Sequence, residues 1–408
     1  MQTTEIVSSH PGDESPASVP EQTHSFFRED TRVLGHLVID SSIGGISVGG
    51  VRMIREMPIS DLCHLARTMT LKCSFLKWPF GGAKAAILTH CDNPSPQQRR
   101  DDIRSFAERL VPLRGRYLPG ADVGTNEDDL DLIRQVLRLG RPRRAPDSGF
   151  YAALTVRMCA ARLMREQGLR PAQCTAAVEG FGKVGGWAVR LLSELGCRVV
   201  AVSTSKGAVY HPDGLDVDGL LRARVAFADE CTTRYDRACR IEVPQLLTLP
   251  VDLLVPCASL WSIRQTNAGQ VQAKMVVCGA NNAVTDKGKE TLAARGVTCF
   301  PDFVSNSGGV LGSIIEMLRI DTPRAAAMLR EQFEPKLEHL VAEARSTGRS
   351  LEAVARDIAA ANHREMRQRQ IGASSRLAAL AGWACRCGLL PQTIADVLAR
   401  AYIRRTMV

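Results

Sequence analysis

The sequence predicts an α/β protein of two domains, the second a doubly wound sheet, with a helical segment at the C-terminal end. Three observations carry this expectation. At 408 residues the chain can bury two separate cores. Short apolar segments at 175–178, 198–202, 251–255, 275–278 and 297–300 alternate with helical stretches, the pattern of strands covered on both faces. A loop rich in Pro and Arg at 141–148 interrupts the chain and reads as a boundary. The expected division is a disordered lead at 1–22, a first domain at 23–147, a second at 148–320 and a helical segment at 321–408.

Composition narrows the function classes. Hydrophobic residues at 45% and charged residues at 23% are those of a soluble globular protein. The net charge of +9 is spread along the chain; its densest cluster, Arg134, Arg138, Arg141, Arg143 and Arg144, reads as a helix end and loop. No arginine stripe or aromatic platform points to nucleic acid, and no apolar run reaches membrane-spanning length. The thirteen cysteines lack paired zinc spacing, Cys385 and Cys387 forming an isolated Cys-x-Cys. Without a secretory leader, the expectation is reduced thiols, no metal site and a cytoplasmic protein.

The first domain opens on strand and turn material at 33–48, followed by the glycine-rich Val48-Gly49-Gly50-Val51-Arg52, which reads as a hairpin. Leu62, Leu65, Ala66 and Met69 then share one helical face, with Ser60 and Asp61 as start signals. Lys72 lies one turn beyond Met69. Pro79 ends regular structure, Gly81 and Gly82 permit a tight turn, and 85–88 reads as a buried strand. Such a turn folds Lys84 back towards Lys72. Two ammonium groups in one apolar crease would bind a carboxylate with one and depress the pKa of the other. As surface residues beside a loop they would do neither. A helix follows at 97–110, and Thr125 with Asp128 reads as a capping box. Asp122 stands before that cap, where the plain alternative is a turn-forming aspartate.

In the second domain, Gly180-Phe181-Gly182-Lys183-Val184-Gly185 lies between a strand and the helix 186–195, which Gly196 closes. Strand, tight turn, helix and strand in this order are the context of a Rossmann-type dinucleotide site: the glycines let backbone N–H groups approach a pyrophosphate. At the end of the next strand, Ser203 and Thr204 replace the acid that would bind the ribose of NAD, and Lys206 would tolerate a 2′-phosphate. The choice between NAD and NADP stays open. Ala258 and Asn281 lie at later strand ends, where such sheets bind ligands, and Asn306 precedes a glycine pair and a helix through Ser313.

Five of these segments, in this order, resemble the family of glutamate, leucine, phenylalanine and valine dehydrogenases over residues 33–366. The family carries a lysine twelve residues before that of a Gly-Gly-x-Lys turn, as Lys72 precedes Lys84 here. The resemblance implies a substrate-binding and oligomerisation domain, a dinucleotide domain and a helix returning to the first. It implies a homo-oligomer that interconverts an amino acid with a 2-oxo acid and ammonium, using NAD or NADP. Lys84 and Asp122 would be catalytic, and Lys72 would hold the α-carboxylate. Val48, Gly49, Met69, Asn306 and Ser313 would line the substrate. Gly180 to Gly185, Ser203, Thr204, Ala258, Asn281 and Asn306 would hold the cofactor. Two departures stand out. Val48 occupies a position that is lysine in glutamate dehydrogenases, which favours apolar or small polar side chains over glutamate. Tyr151 aligns where a threonine usually touches the nicotinamide amide. The competing readings are a glutamate dehydrogenase, favoured by Ser313, and a catalytically silent nucleotide-binding homologue.

Overall fold

A computed structural model describes residues 19–91, 94–139, 147–317 and 321–369. Two sheets organise them. The first contains β1 (Gln22–Phe27), β2 (Val33–Ile39), β3 (Ser47–Ile54), β4 (Gly81–Leu88) and β5 (Tyr117–Ala121), in the order β1-β2-β4-β3-β5. Strand β3 runs parallel to both β4 and β5, and helix α1 (Ile59–Phe75) makes the crossover from β3 to β4 that parallel pairing requires. Helices α2 (Pro96–Arg109) and α3 (Glu127–Val136) complete this part. Strand β1 begins at the end of the stretch expected to be a disordered lead and adds an element where none was anticipated. Residues 1–18 lie outside the described residues.

Two expectations about glycine are corrected. Gly49 and Gly50 form no hairpin but sit inside β3, and Gly81 and Gly82 form no turn but begin β4. The reason is close backbone approach: a Cβ on Gly49 would lie 1.7 Å from the Ala83 carbonyl oxygen, and one on Gly82 would lie 2.1 Å from the Thr70 nitrogen. The chain instead turns at Lys77, which takes a positive φ of 58°, just before Pro79.

The second sheet contains β6 (Thr175–Glu179), β7 (Arg198–Thr204), β8 (Gly207–Tyr210), β9 (Cys239–Ile241), β10 (Leu253–Pro256), β11 (Met275–Val277) and β12 (Thr298–Phe300), in the order β12-β11-β10-β6-β7-β8-β9. Strands β12 to β7 are parallel, as expected. The antiparallel edge strands β8 and β9, of four and three residues, are too short for a readable period. The connection order reverses between β6 and β10, so the crevice where such sheets bind ligands opens at the C-terminal ends of those strands. Helices α4 (Ser148–Glu166), α5 (Lys183–Leu195) and α6 (Val217–Phe227) follow the boundary region, the glycine turn and β8 respectively.

One apolar core joins the two sheets: Met69, Phe75 and Trp78 from the first half pack with Leu154, Val255 and Phe333. Helices Thr322–Thr347 and Leu351–Arg369 close it, and the second returns to α1 through Ser74 Oγ to His363 Nδ1 at 3.2 Å and Lys77 to Glu365 at 3.1 Å. The stretch 374–408 lies outside the described residues. No described helix is long and apolar enough to cross a membrane, and no metal-binding cluster occurs among the described residues.

Candidate active site

Lys72 stands in the last turn of α1 and Lys84 in the middle of β4; both are buried, at 4% and 3% exposure. Their proximity follows from local structure, because α1 lies against β4 where Gly82 lets the helix backbone approach. Burial lowers the Lys72 ammonium to about 8; Asp302 and Asp122 oppose that shift and Lys84 reinforces it. Burial also lowers the Lys84 pKa, against the pull of Asp122 and with help from Arg52. The sequence pattern anticipates a lowered pKa for one of the two; burial lowers both.

Asp122 follows β5 and completes the cluster. Its Oδ2 accepts from Lys84 Nζ at 2.5 Å and from Arg52 Nε at 2.9 Å. Burial raises its pKa, but Lys84 and Arg52 together hold the carboxyl far below the usual carboxylate range. Gly50 of β3 makes room, since a Cβ there would lie 2.7 Å from Asp122 Cβ. Thr125 fixes the backbone: its hydroxyl accepts the Asp122 N–H at 3.0 Å and donates to the Val51 carbonyl at 2.7 Å. The expected capping box at Thr125 and Asp128 is therefore displaced by one residue. Asn126 and Asp129 form it, because Thr125 is engaged upstream.

The second half of the chain faces this cluster across the cleft. Asn281, after β11, accepts from Lys72 Nζ at 2.5 Å and from Asn306 Nδ2 at 3.1 Å. Asn282, with a positive φ of 49°, accepts from the Thr68 hydroxyl at 2.6 Å, and its N–H donates to Asp302 Oδ2 at 2.5 Å. The Asn306 Oδ1 is buried without a hydrogen-bond partner. A buried acceptor left open at the cleft suits a ligand donor.

The glycine turn has the shape of a phosphate cradle. Gly180 has φ 87° and lies against Ala258, where a Cβ would come within 2.7 Å of Ala258 Cα. The Gly180 N–H donates to Ser203 Oγ at 2.9 Å, and the Phe181 N–H donates to the Ser203 carbonyl at 2.6 Å. A Cβ on Gly185 would lie 1.8 Å from the Gly180 carbonyl oxygen, whereas one on Gly182 would meet nothing within 4 Å. The turn is thus locked to its own sheet and open at Gly182, beside the amides of Lys183 and Val184 that begin α5. These residues fit a dinucleotide diphosphate.

The remaining sequence-derived residues divide by environment. Val48 and Met69 are buried in the apolar core together with Trp78, and Gly49 accepts the Tyr117 hydroxyl at its carbonyl, 3.0 Å away. Ser313 belongs to the helix Gly308–Met317, and its side chain lies outside the described residues. The Thr204 hydroxyl turns into the protein, donating to the Asp229 carbonyl at 2.6 Å and sharing a bond with Thr232 at 2.8 Å. Tyr151 is fully buried, its ring filling the space over Gly312, where a Cβ would lie 2.0 Å from the ring. Its place is in the core between α4 and the helix Gly308–Met317, and the hydroxyl residue that begins α4 is Ser148. Arg52 and Thr125 lie inside motifs that the sequence displays, but only the fold shows that they hold Asp122. Asp302 carries no sequence signal for its place beside Lys72.

Comparison with known proteins identifies the family. A family model described as Glutamate/Leucine/Phenylalanine/Valine dehydrogenase matches residues 150–370, and one described as Glu/Leu/Phe/Val dehydrogenase, dimerisation domain, matches residues 26–138. The chain is 34% identical over 302 residues to a glutamate dehydrogenase of Thermotoga maritima, covering 70% of this chain and 72% of that protein. It is 31% identical over 351 residues to the NAD-specific glutamate dehydrogenase A of Halobacterium salinarum, covering 79% and 78%. Among solved structures, the hetero-hexameric glutamate dehydrogenase from Thermus thermophilus in a leucine-bound form superposes with a TM-score of 0.76 at 25% identity, covering 88% of this chain and 92% of that one. The chain belongs to the Glu/Leu/Phe/Val dehydrogenase family and is an amino-acid dehydrogenase, an NAD(P)-dependent oxidoreductase acting on CH–NH2 donors.

Proposed function

We propose that the protein interconverts an L-amino acid bearing an apolar or small polar side chain with its 2-oxo acid and ammonium, as a homo-oligomer in the cytoplasm. In this reading a first domain at 23–147 holds the substrate, a second at 148–320 holds NAD or NADP, and the helices beyond 321 return to the first. When bound, a nicotinamide cofactor would supply hydride transfer at the α-carbon. Lys72 holds the α-carboxylate by charge. Lys84, its pKa lowered by burial, exchanges protons with the amine nitrogen and with the water that adds to the α-carbon, and Asp122, bonded to it at 2.5 Å, relays them. Asn306 offers its open Oδ1 to substrate or nicotinamide. The glycine turn takes the diphosphate, with Ala258 and Asn281 beside it.

Val48 carries the choice of side chain. It is buried with Met69 in an apolar cluster. The cations of the crease have other work in this reading: Lys72 meets the α-carboxylate, and Lys84 and Arg52 are paired with Asp122. A second substrate carboxylate would therefore enter a closed cleft without a partner, at a cost of several kcal/mol. An apolar side chain would gain roughly 0.8 kcal/mol per buried methylene. The second reading, a glutamate dehydrogenase, draws on the relatives at 34% and 31% identity. Kinetics on 2-oxoglutarate and 4-methyl-2-oxopentanoate separate the two. The unaltered protein should have the higher kcat/KM on the branched acid, and Val48→Lys should shift the ratio towards 2-oxoglutarate by about tenfold or more. A preference for 2-oxoglutarate in the unaltered protein would support the second reading.

The Lys72 role has a pH signature. A lysine lowered to about 8 is charged below that pH and neutral above it. The kcat/KM for amino-acid oxidation, which reports the free enzyme, should fall as pH rises through about 8. An activity still climbing at a pH of about 10 would remove Lys72 from carboxylate binding.

A further inference from the structure

We propose that Arg224 receives the 2′-phosphate of NADP(H), making it a cofactor-specificity residue contributed by α6 rather than by the end of β7. The inference rests on the dinucleotide site proposed above. The Arg224 guanidinium lies over the Phe181 ring, 5.4 Å from its centroid. It also lies against the first turn of α5, since a Cβ on Gly186 would be 2.0 Å from its Nη1. Beyond this stacking, Arg224 makes no hydrogen bond or ion pair among the described residues. A permanently charged, half-buried fork that stacks on an aromatic face at a phosphate-binding turn is equipped to take a bidentate anion.

Position selects which phosphate. The Phe181 N–H bonds the Ser203 carbonyl at 2.6 Å, so this residue leans towards β7, whose end faces the adenosine ribose in dinucleotide folds. At that end Thr204 is spent on Asp229 and Thr232, while Ser205 and Lys206 are exposed. The Ser205 hydroxyl donates to Asp229 Oδ2 at 2.8 Å, which fixes one opposing charge, and Asp147 is a second that acts on Arg224. Arg224 and Lys206 balance the two. The Lys183 and Val184 amides, which open α5, already serve the diphosphate without help from α6.

Calorimetric titration of the full chain with NADP+, NAD+ and 2′,5′-ADP tests this without turnover. Arg224→Ala should weaken NADP+ and 2′,5′-ADP by about tenfold or more and leave NAD+ within about threefold. Arg224→Lys, which keeps the charge, should lose less. Asp229→Asn should tighten NADP+ and not NAD+. Equal weakening of NADP+ and NAD+ would place Arg224 at the diphosphate or in the fold, and overturn the proposal. So would an unaltered affinity for NADP+ in Arg224→Ala, or an unaltered protein that binds NAD+ alone. Binding of none of these nucleotides by the unaltered chain would overturn the dinucleotide site itself.

Discussion

Lys84→Ala and Asp122→Asn should each lower kcat by at least about a hundredfold while leaving nucleotide binding intact, the loss expected when a positioned acid–base group is removed. The two residues form one unit, joined at 2.5 Å, with Arg52 on the same carboxylate oxygen at 2.9 Å. The double variant should therefore be little worse than either single one, because groups that act together are not additive. Arg52 also makes Asp122→Asn a stability change, since a buried guanidinium loses its counter-charge. Lys84→Ala has no such side effect on Arg52 and is the cleaner variant. Measured by single-turnover kinetics and nucleotide titration, near-normal rates in Lys84→Ala would remove it from the chemistry.

Gly50→Ala should cost nearly as much without touching a functional group. The new methyl would sit 2.7 Å from Asp122 Cβ, and Gly50 lies inside β3, paired with β5 at Gly120. The carboxylate must move, because a strand held between two neighbours cannot. A displacement approaching 1 Å is enough to lose about a hundredfold in rate. Cofactor affinity should change little, whereas the thermal midpoint should fall, because the methyl overpacks the strand and displaces the partner of buried Arg52. Full activity would show that Asp122 tolerates displacement and that its reach to Lys84 is not needed.

The sequence displays these residues unevenly, for physical reasons. The glycine turn is legible because its chemistry is local: strand, turn and helix must follow one another within a few residues. The lysine pair is legible for a similar reason, since Lys72 and Lys84 flank one helix-to-strand connection. Gly49, Gly50, Gly81 and Gly82 look like turn residues, and only the approach of other strands and of α1 shows why glycine stands there. The short strands β8 and β9 have no period to detect. Arg224 is hidden most deeply, because α6 comes back to the glycine turn through space and no motif marks it.

We propose that this crease performs amino-acid dehydrogenation on side chains other than glutamate's. Reductive amination by the unaltered protein tests it most directly, followed as the absorbance of NADH and NADPH with a panel of 2-oxo acids, with and without ammonium. Ammonium-dependent oxidation of the reduced cofactor is expected, faster with branched or aromatic 2-oxo acids than with 2-oxoglutarate. Absence of ammonium-dependent oxidation with every 2-oxo acid would contradict the chemistry assigned to Lys72, Lys84 and Asp122, and 2-oxoglutarate as the fastest substrate would contradict the role of Val48.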